Sequence, residues 1–308
     1  MVIGTLCASG ADAALKAVAS EYAAPQVLLI AALMSVGLTL AANRRGPLVR
    51  VVHTGAPWAM LARSVATVCA GVGFYQAFAL IPFAEVFLFI GAMPLMAAGL
   101  SGLILGERPG LRVWGILGIG LVGLFCLFPT LNSGVVWSGH LAAASGSLAG
   151  TVSVLLSRYI GRYETHSLAQ VFLPQCLMAV VMALIWPFVA QSMVWADFGM
   201  ICLYAGLVFC ARWIMVIVAR LLPTWLTLQL LNIQFIWMVL IGVLIFGEAT
   251  RLMVFVGAGL IILAGVLLAR QEMRKVAPSG PQAGVGTTPH SALHQGATLV
   301  RHAARAGR

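Results

Sequence analysis

The chain has 308 residues, 61% of them hydrophobic and 8% charged, with a formal net charge of +10. Soluble domains carry about 25% charged residues, so this composition excludes a water-soluble globular fold and calls for a lipid bilayer as solvent. The basic balance does not point to nucleic acid, because the Lys and Arg residues fall at the ends of apolar runs and in a tail, with no basic face of interleaved aromatics.

A bilayer core is about 30 Å thick, so each crossing helix needs roughly 20 mostly apolar residues. The length accommodates about ten such crossings with short loops. The runs are continuously apolar rather than alternating, which favours helices over a barrel. In chain order they are 2–19, 25–42, 57–80, 83–105, 111–128, 137–158, 167–190, 198–220, 223–246 and 252–269. The first resembles a signal peptide at Ala17-Val18-Ala19. It has no basic lead-in, and Asp12 interrupts it, so it reads as a first membrane helix with almost no cytosolic residues before it. Asn43-Arg44-Arg45-Gly46-Pro47 ends the second run. Ile81-Pro82 and Leu222-Pro223 separate closely spaced pairs, since proline cannot continue the preceding helix. Pro129 and Asn132-Ser133-Gly134 mark the middle of the chain. The expected organisation is a five-helix unit over 1–132, a second over 137–270, and a disordered basic cytosolic tail over 276–308, rich in Pro, Gly and polar residues. Cys7, Cys69, Cys126, Cys176, Cys202 and Cys210 fall in apolar runs without a C-x-x-C pair and read as small packing residues.

Arg44, Arg45, Arg50, Arg108, Arg112, Arg158, Arg162 and Arg220 share one side if the N-terminus is cytosolic, and Arg270, Arg274 and Lys275 join them. Arg251 and Lys16 fall on the other side. The positive-inside rule therefore expects both termini in the cytosol.

An internal repeat is the most informative feature. Leu80-Ile81-Pro82 recurs as Leu221-Leu222-Pro223, Gly106-Glu107 as Gly247-Glu248, and Cys69-Ala70 as Cys210-Ala211, all at one offset of 141 residues. Ala24-Pro25-Gln26-Val27 is echoed by Leu168-Ala169-Gln170-Val171 at an offset of 144. Five helices per copy is an odd number, so the second copy enters the membrane from the opposite face. Inverted repeats of this kind let one central site open first to one side and then to the other.

On these paired segments, and on the Gly-rich runs 115–123 and 257–265 that follow them, the chain resembles the drug/metabolite transporter superfamily in its EamA-type branch, with two EamA repeats covering residues 1 to about 270. The resemblance implies an all-α polytopic membrane protein with ten transmembrane helices, a central cavity between the halves, and solute movement by alternating access. Many relatives carry an arginine in the second helix; 26–42 contains none here.

Polar groups in a bilayer are costly and mark cavities or partners. Asp12 and Lys16 lie one turn apart on helix one, and read either as a proton or cation site on Asp12 or as a self-neutralising pair with Lys16 snorkelling. Arg212, deep in helix eight beside Trp213, suits a substrate carboxylate or phosphate through its planar fork. Arg63 reads as a snorkelling residue near the cytosolic end of helix three. Tyr75 and Gln76 on helix three, Phe89 on helix four, and Asn232, Gln234 and Trp237 on helix nine supply the amides and aromatics that a small polar solute needs; interhelical hydrogen bonding is the rival use of each amide. Glu107 and Glu248 sit where the next helix begins and read as structural, favouring its positive dipole. The histidines are scattered and no H-E-x-x-H or G-x-S-x-G occurs, so neither an enzyme, a metal site nor a cofactor is expected.

The expected function is secondary active transport of a small polar or amphipathic metabolite (amino-acid, vitamin or nucleotide-like). No Walker A motif is present to bind ATP. The expected setting is a bacterial inner membrane, and the expected partners are the substrate, the lipid bilayer and a coupling ion that is left open, protons included. Two alternatives stand: a proton-coupled exporter of lipophilic cations using Asp12, and a non-transporting membrane sensor or assembly protein.

Overall fold

A computed structural model of the chain describes residues 2–19, 21–44, 46–47, 49–81, 83–107, 109–125, 137–163, 168–237, 240 and 252–276. The chain divides into two units, Met1–Ala269 and Arg270–Arg308. All regular structure among the described residues is helical. The helices of eight residues or more are α1 (Val2–Ala19), α2 (Ala24–Ala42), α3 (Pro57–Leu80), α4 (Phe83–Ile104), α5 (Leu111–Phe125), α6 (Trp137–Ile160), α7 (Leu168–Ile185), α8 (Trp195–Leu221), α9 (Thr224–Leu231) and α10 (Leu252–Val276). Among the described residues, six of them, α1, α2, α3, α6, α7 (continued by a 3-10 turn to Phe188) and α8, are long and apolar enough to cross a membrane.

Local chemistry sets the boundaries. Pro25 and Pro57 open α2 and α3, where a missing N–H costs no helical bond. Ile81 and Leu222 close α3 and α8 in the same extended conformation (φ −128°, ψ 157° and φ −121°, ψ 153°), which a following proline imposes. Gly106, at φ +70°, ends α4 in the left-handed region; the Glu107 N–H then reaches back to the Ser101 carbonyl at 3.3 Å.

Two elements differ from the sequence expectation. The ninth segment, expected to run unbroken over 223–246, is helical only to Leu231. A turn follows at Asn232 and Ile233, and helix resumes over 234–237. Bonds across three residues replace those across four: Asn232 N–H to Gln229 at 3.2 Å, and Phe235 N–H to Asn232 at 3.0 Å. The tenth helix runs to Val276 rather than 269, because Arg270, Gln271, Glu272, Arg274 and Lys275 favour helix without being apolar. The expected tail beyond it, Gly247-Glu248 and Arg251 lie outside the described residues.

The bundle departs from a soluble protein by exposing large apolar side chains and by burying polar ones beside an apolar core. Trp58, Leu103, Leu111, Trp137, Phe188 and Trp195 are exposed, whereas Thr5, Ser9, Gln26, Thr39, Ser147, Thr151, Gln170 and Gln229 are buried. An apolar exterior with tryptophans at helix ends is compatible with an integral membrane protein. Of the cysteines read as packing residues, Cys69 and Cys210 are exposed on this outer surface.

Small residues let the helices approach. α3 packs on α6, α1 on α8, α2 on α7 and α8, α3 on α7, and α4 on α6 and α9. At the α3–α6 crossing, a Cβ on Gly73 would stand 2.9 Å from both the Ala142 carbonyl oxygen and the Gly146 Cα. At the α1–α8 crossing, one on Gly4 would stand 3.0 Å from Ile214. The Gly-rich α5 uses only Gly120 and Gly123 in this way; Gly115 and Gly118 meet nothing within 4 Å.

The connections gather at two ends. At one, Arg158 at the end of α6 donates to Glu107 (2.9 and 3.0 Å) and to the carbonyl of Leu222, and Arg162 donates to Glu107 (3.0 Å) and the carbonyl of Leu105 (3.2 Å). Glu107 is therefore structural through two arginines, a closer source of positive charge than a helix dipole. At the other end, Tyr22 donates to Asp197 at 2.6 Å, Gln26 exchanges hydrogen bonds with Gln191 (2.8 and 3.0 Å), and Tyr75 donates to the Tyr22 carbonyl at 2.6 Å.

Candidate functional site

A cavity of about 280 Å³ lies between α1, α3, α4, α6, α7, α8, α9 and the residues just after α9. Most of its wall is apolar, with Phe74, Phe78, Ile90 and Met93 prominent. Into this wall are set Asp12, Arg63, Thr67, Ser153, Ser157, Gln170, Gln175, Tyr204, Arg212 and Gln234.

Each polar group is positioned by a specific element. The α9 break carries Gln234 toward α1, where its backbone carbonyl accepts from Ser9 at 2.9 Å and its side-chain amide donates to Asp12. Tyr204 lies within electrostatic reach of both Asp12 and Arg212. Arg212 is seventeen residues into α8, about 26 Å along it at 1.5 Å per residue. Its Nη1 is buried and has no hydrogen-bond partner among the described residues. A guanidinium at the centre of a bilayer costs roughly 2.5–3.5 kcal/mol on insertion scales, so a wet or ligand-filled cavity is the environment that offsets it.

A second polar layer is built from α3, α6 and α7. Arg63 is 8% exposed and donates to Gln170 Oε1 at 2.7 Å, and Ser157 donates to the same oxygen at 2.6 Å. Thr67 and Ser153 share a hydroxyl–hydroxyl hydrogen bond of 2.9 Å. Arg63 therefore turns inward to an amide instead of snorkelling, because Gln170 on α7 offers an acceptor that sequence alone did not pair with it. Prolines add acceptors: Pro94 and Pro174 interrupt α4 and α7, and each leaves the carbonyl four residues earlier, on Ile90 and Gln170, without its helical donor. Both residues line the cavity.

Of the residues singled out from sequence, Asp12, Arg212 and Gln234 come together here. The others lie elsewhere. Tyr75 bonds Tyr22, and Gln76 is exposed on the outer surface. Phe89 meets His140 edge-on at 6.1 Å, and Trp213 packs on Phe209 at 5.6 Å. Asn232 donates to the Gly91 carbonyl at 3.3 Å, and Trp237 to Thr5 at 3.2 Å. Sequence reasoning passed over Ser153, Gln170 and Tyr204. The repeat carried the signal: Asp12 and Ser153, Arg63 and Tyr204, and Gly71 and Arg212 are pairs 141 residues apart, and all six line the cavity. Among the described residues, no group of three His, Cys, Asp or Glu side chains gathers as a metal site.

No family model matches the chain, and no curated protein matches it. Its fold is similar to that of a solved structure described only as "Crystal structure of protein", with a TM-score of 0.68, 21% identity, and coverage of 88% of this chain and 97% of that one. At this identity the likeness establishes a shared fold.

Proposed function

We propose that the chain is a secondary transporter, an EamA-type member of the drug/metabolite transporter superfamily, in which two inverted five-helix repeats move a small polar or amphipathic metabolite by alternating access. The observation that carries this reading is the two-fold relation within the cavity wall. Beyond those three pairs, Thr67 and Val208, Phe74 and Met215, Ile90 and Leu231, and Met93 and Gln234 also line it at the same offset. The packing supports it as well. Exchanging each helix with the one five places on turns the α3–α6 contact into α8–α1 and α2–α8 into α7–α3, while α2–α7 and α4–α9 map onto themselves. Gly91 and Asn232, 141 residues apart, bond to each other directly, as residues beside a pseudo-two-fold axis can. A site on such an axis is met by equivalent elements from both sides of the membrane, which is the geometric requirement for alternating access.

The test is reconstitution of the purified full chain into liposomes with a mixed panel of amino acids, organic acids and nucleoside-like solutes. Gradient-driven uptake of at least one of them above protein-free vesicles is expected, without ATP. A flat result across the panel, with the protein folded and inserted, overturns the reading in favour of a non-transporting membrane protein.

A further inference from the structure

We propose that the cavity is an organic-anion site. It takes a small amphipathic acid, a carboxylate or a phosphate monoester, whose anionic head docks on Arg212 and whose apolar body lies against Phe74, Phe78 and Met93. The physiological use of the site rests on the transport reading above; the binding chemistry does not.

The argument is an accounting of donors and acceptors. A buried polar atom without a partner is unfavourable, so those left over in a cavity wall indicate what the missing ligand offers. Two such atoms belong to residues that line this cavity, Arg212 Nη1 and Gln170 Nε2, and both are N–H donors. The orientation of the Gln170 amide is set by its neighbour: Arg63 can only donate, so the atom it meets is the oxygen. Asp12, the one carboxylate among the described lining residues, accepts from the Gln234 amide through Oδ2. Beside the Ile90 and Gln170 carbonyls that the two prolines free, the wall therefore has unspent side-chain donors, one of them cationic. A ligand that completes it brings acceptor oxygens and negative charge. A guanidinium binds carboxylate or phosphate through two parallel bonds, and this geometry is common to both head groups. The remaining wall is mostly apolar, so the rest of the molecule is hydrocarbon or aromatic. The volume of about 280 Å³ holds a solute on the order of ten non-hydrogen atoms, allowing about 30 Å³ for each water-sized group. The Arg212 guanidinium disfavours a lipophilic cation in the same cavity by like-charge repulsion.

The experiment uses the full chain in detergent and calorimetric or fluorescence titration with probes sharing one skeleton: 3-phenylpropionate, 3-phenylpropionamide, 3-phenylpropylamine and 2-phenylethyl phosphate. The acid or the phosphate should bind at least tenfold more tightly than the amide, with no measurable binding of the amine. Whichever of the two binds better identifies the head group. Arg212→Gln should lower affinity for the acid at least tenfold and bring it to that of the amide. Arg212→Lys should fall between, because lysine keeps the charge and loses the fork. If Arg212→Gln does not fold, the head-group comparison on the unaltered protein decides alone. Amine binding equal to that of the acid, full acid affinity in a folded Arg212→Gln, or no binding of either anion at millimolar concentration overturns the proposal. Anion binding without flux in liposomes would sink the transport reading and leave this site standing; flux of the amine alone would do the reverse.

Discussion

At Gly73 a single methyl group decides whether α3 and α6 can cross, because its Cβ would meet backbone rather than a movable side chain. Gly73→Ala should therefore lower stability by about 1–3 kcal/mol, the usual range for overpacking. Gly37 is exposed on α2 with nothing within 4 Å of a Cβ, so Gly37→Ala should gain about 0.4–1 kcal/mol by restricting the unfolded chain. Thermal unfolding in detergent, comparing the two variants, checks both signs. The glutamines make a second contrast. Gln170→Leu strands the Arg63 and Ser157 donors in a buried layer and should cost about 1–3 kcal/mol, whereas Gln76→Leu on the outer surface should be close to neutral in the same assay. Composition and hydropathy do not separate Gln76 from Gln170: both are single amides in apolar runs. Which face each presents depends on where the neighbouring helices stand, and that is a tertiary quantity.

Among the elements, α9 departs most from its apolar pattern. Its run reads as continuous helix, yet it turns at Asn232, where the side chain holds the Gly91 carbonyl and the following residue pair brings Gln234 to Asp12. The break is invisible to hydropathy, since an Asn in an apolar run can stay helical or turn, and the carbonyl it bonds here, that of Gly91, lies 141 residues away. Asn232→Leu should cost about 0.6–2 kcal/mol, the range for interhelical hydrogen bonds in membranes. It should also weaken the proposed transport more than an equal loss of stability elsewhere, measured as initial uptake at matched folded protein. The Glu107 junction, by contrast, was readable as a conserved-offset Gly-Glu punctuation mark but not as an ion pair, because Arg158 and Arg162 lie more than fifty residues away. At the opposite end, donation to Asp197 holds the Tyr22 phenol above its ordinary value near 10. A raised phenol stabilises fully below the unfolded value and loses that contribution as pH rises through the folded one. The Tyr22 contact is therefore complete at neutral pH and should melt only above about pH 10; Tyr22→Phe should abolish that alkaline step in a stability-versus-pH series.

For the whole molecule, the alternation of its ends makes a topological prediction. The 105–107, 158–162 and 219–222 segments meet at one end, and Tyr22, Gln26, Tyr75, Gln191 and Asp197 at the other. Arg158, Arg162 and Arg220 mark the first, and the positive-inside rule assigns it to the cytosol. Reporter fusions after residues 107 and 162 should report cytosol, and fusions within 21–23 and 189–194 the external side. A single fusion on the wrong side would break the alternation on which the proposed inverted repeat depends. Cys69 and Cys210, both exposed on the lateral surface, should react with lipid-soluble maleimides and resist charged ones.

The sequence by itself pointed to a bilayer as solvent, and it determined the helix class, most helix ends and the repeat. These depend on local quantities: the free energy of putting apolar runs into lipid, the missing N–H of proline, and identities at a constant offset. Asp12, Arg212 and Gln234 were also legible, because a polar group in an apolar run is conspicuous wherever it stands. Only the tertiary structure decided that these three share a cavity with Arg63, Gln170 and Tyr204, that Tyr75, Gln76, Phe89, Trp213, Asn232 and Trp237 lie off it, and that α9 breaks where it does. Inside a bilayer the hydrophobic effect does not choose which face of a helix turns inward, since lipid and core are equally apolar. That choice falls to close packing at glycines such as Gly73 and to hydrogen bonds between residues far apart in the chain, and neither is written in any one segment.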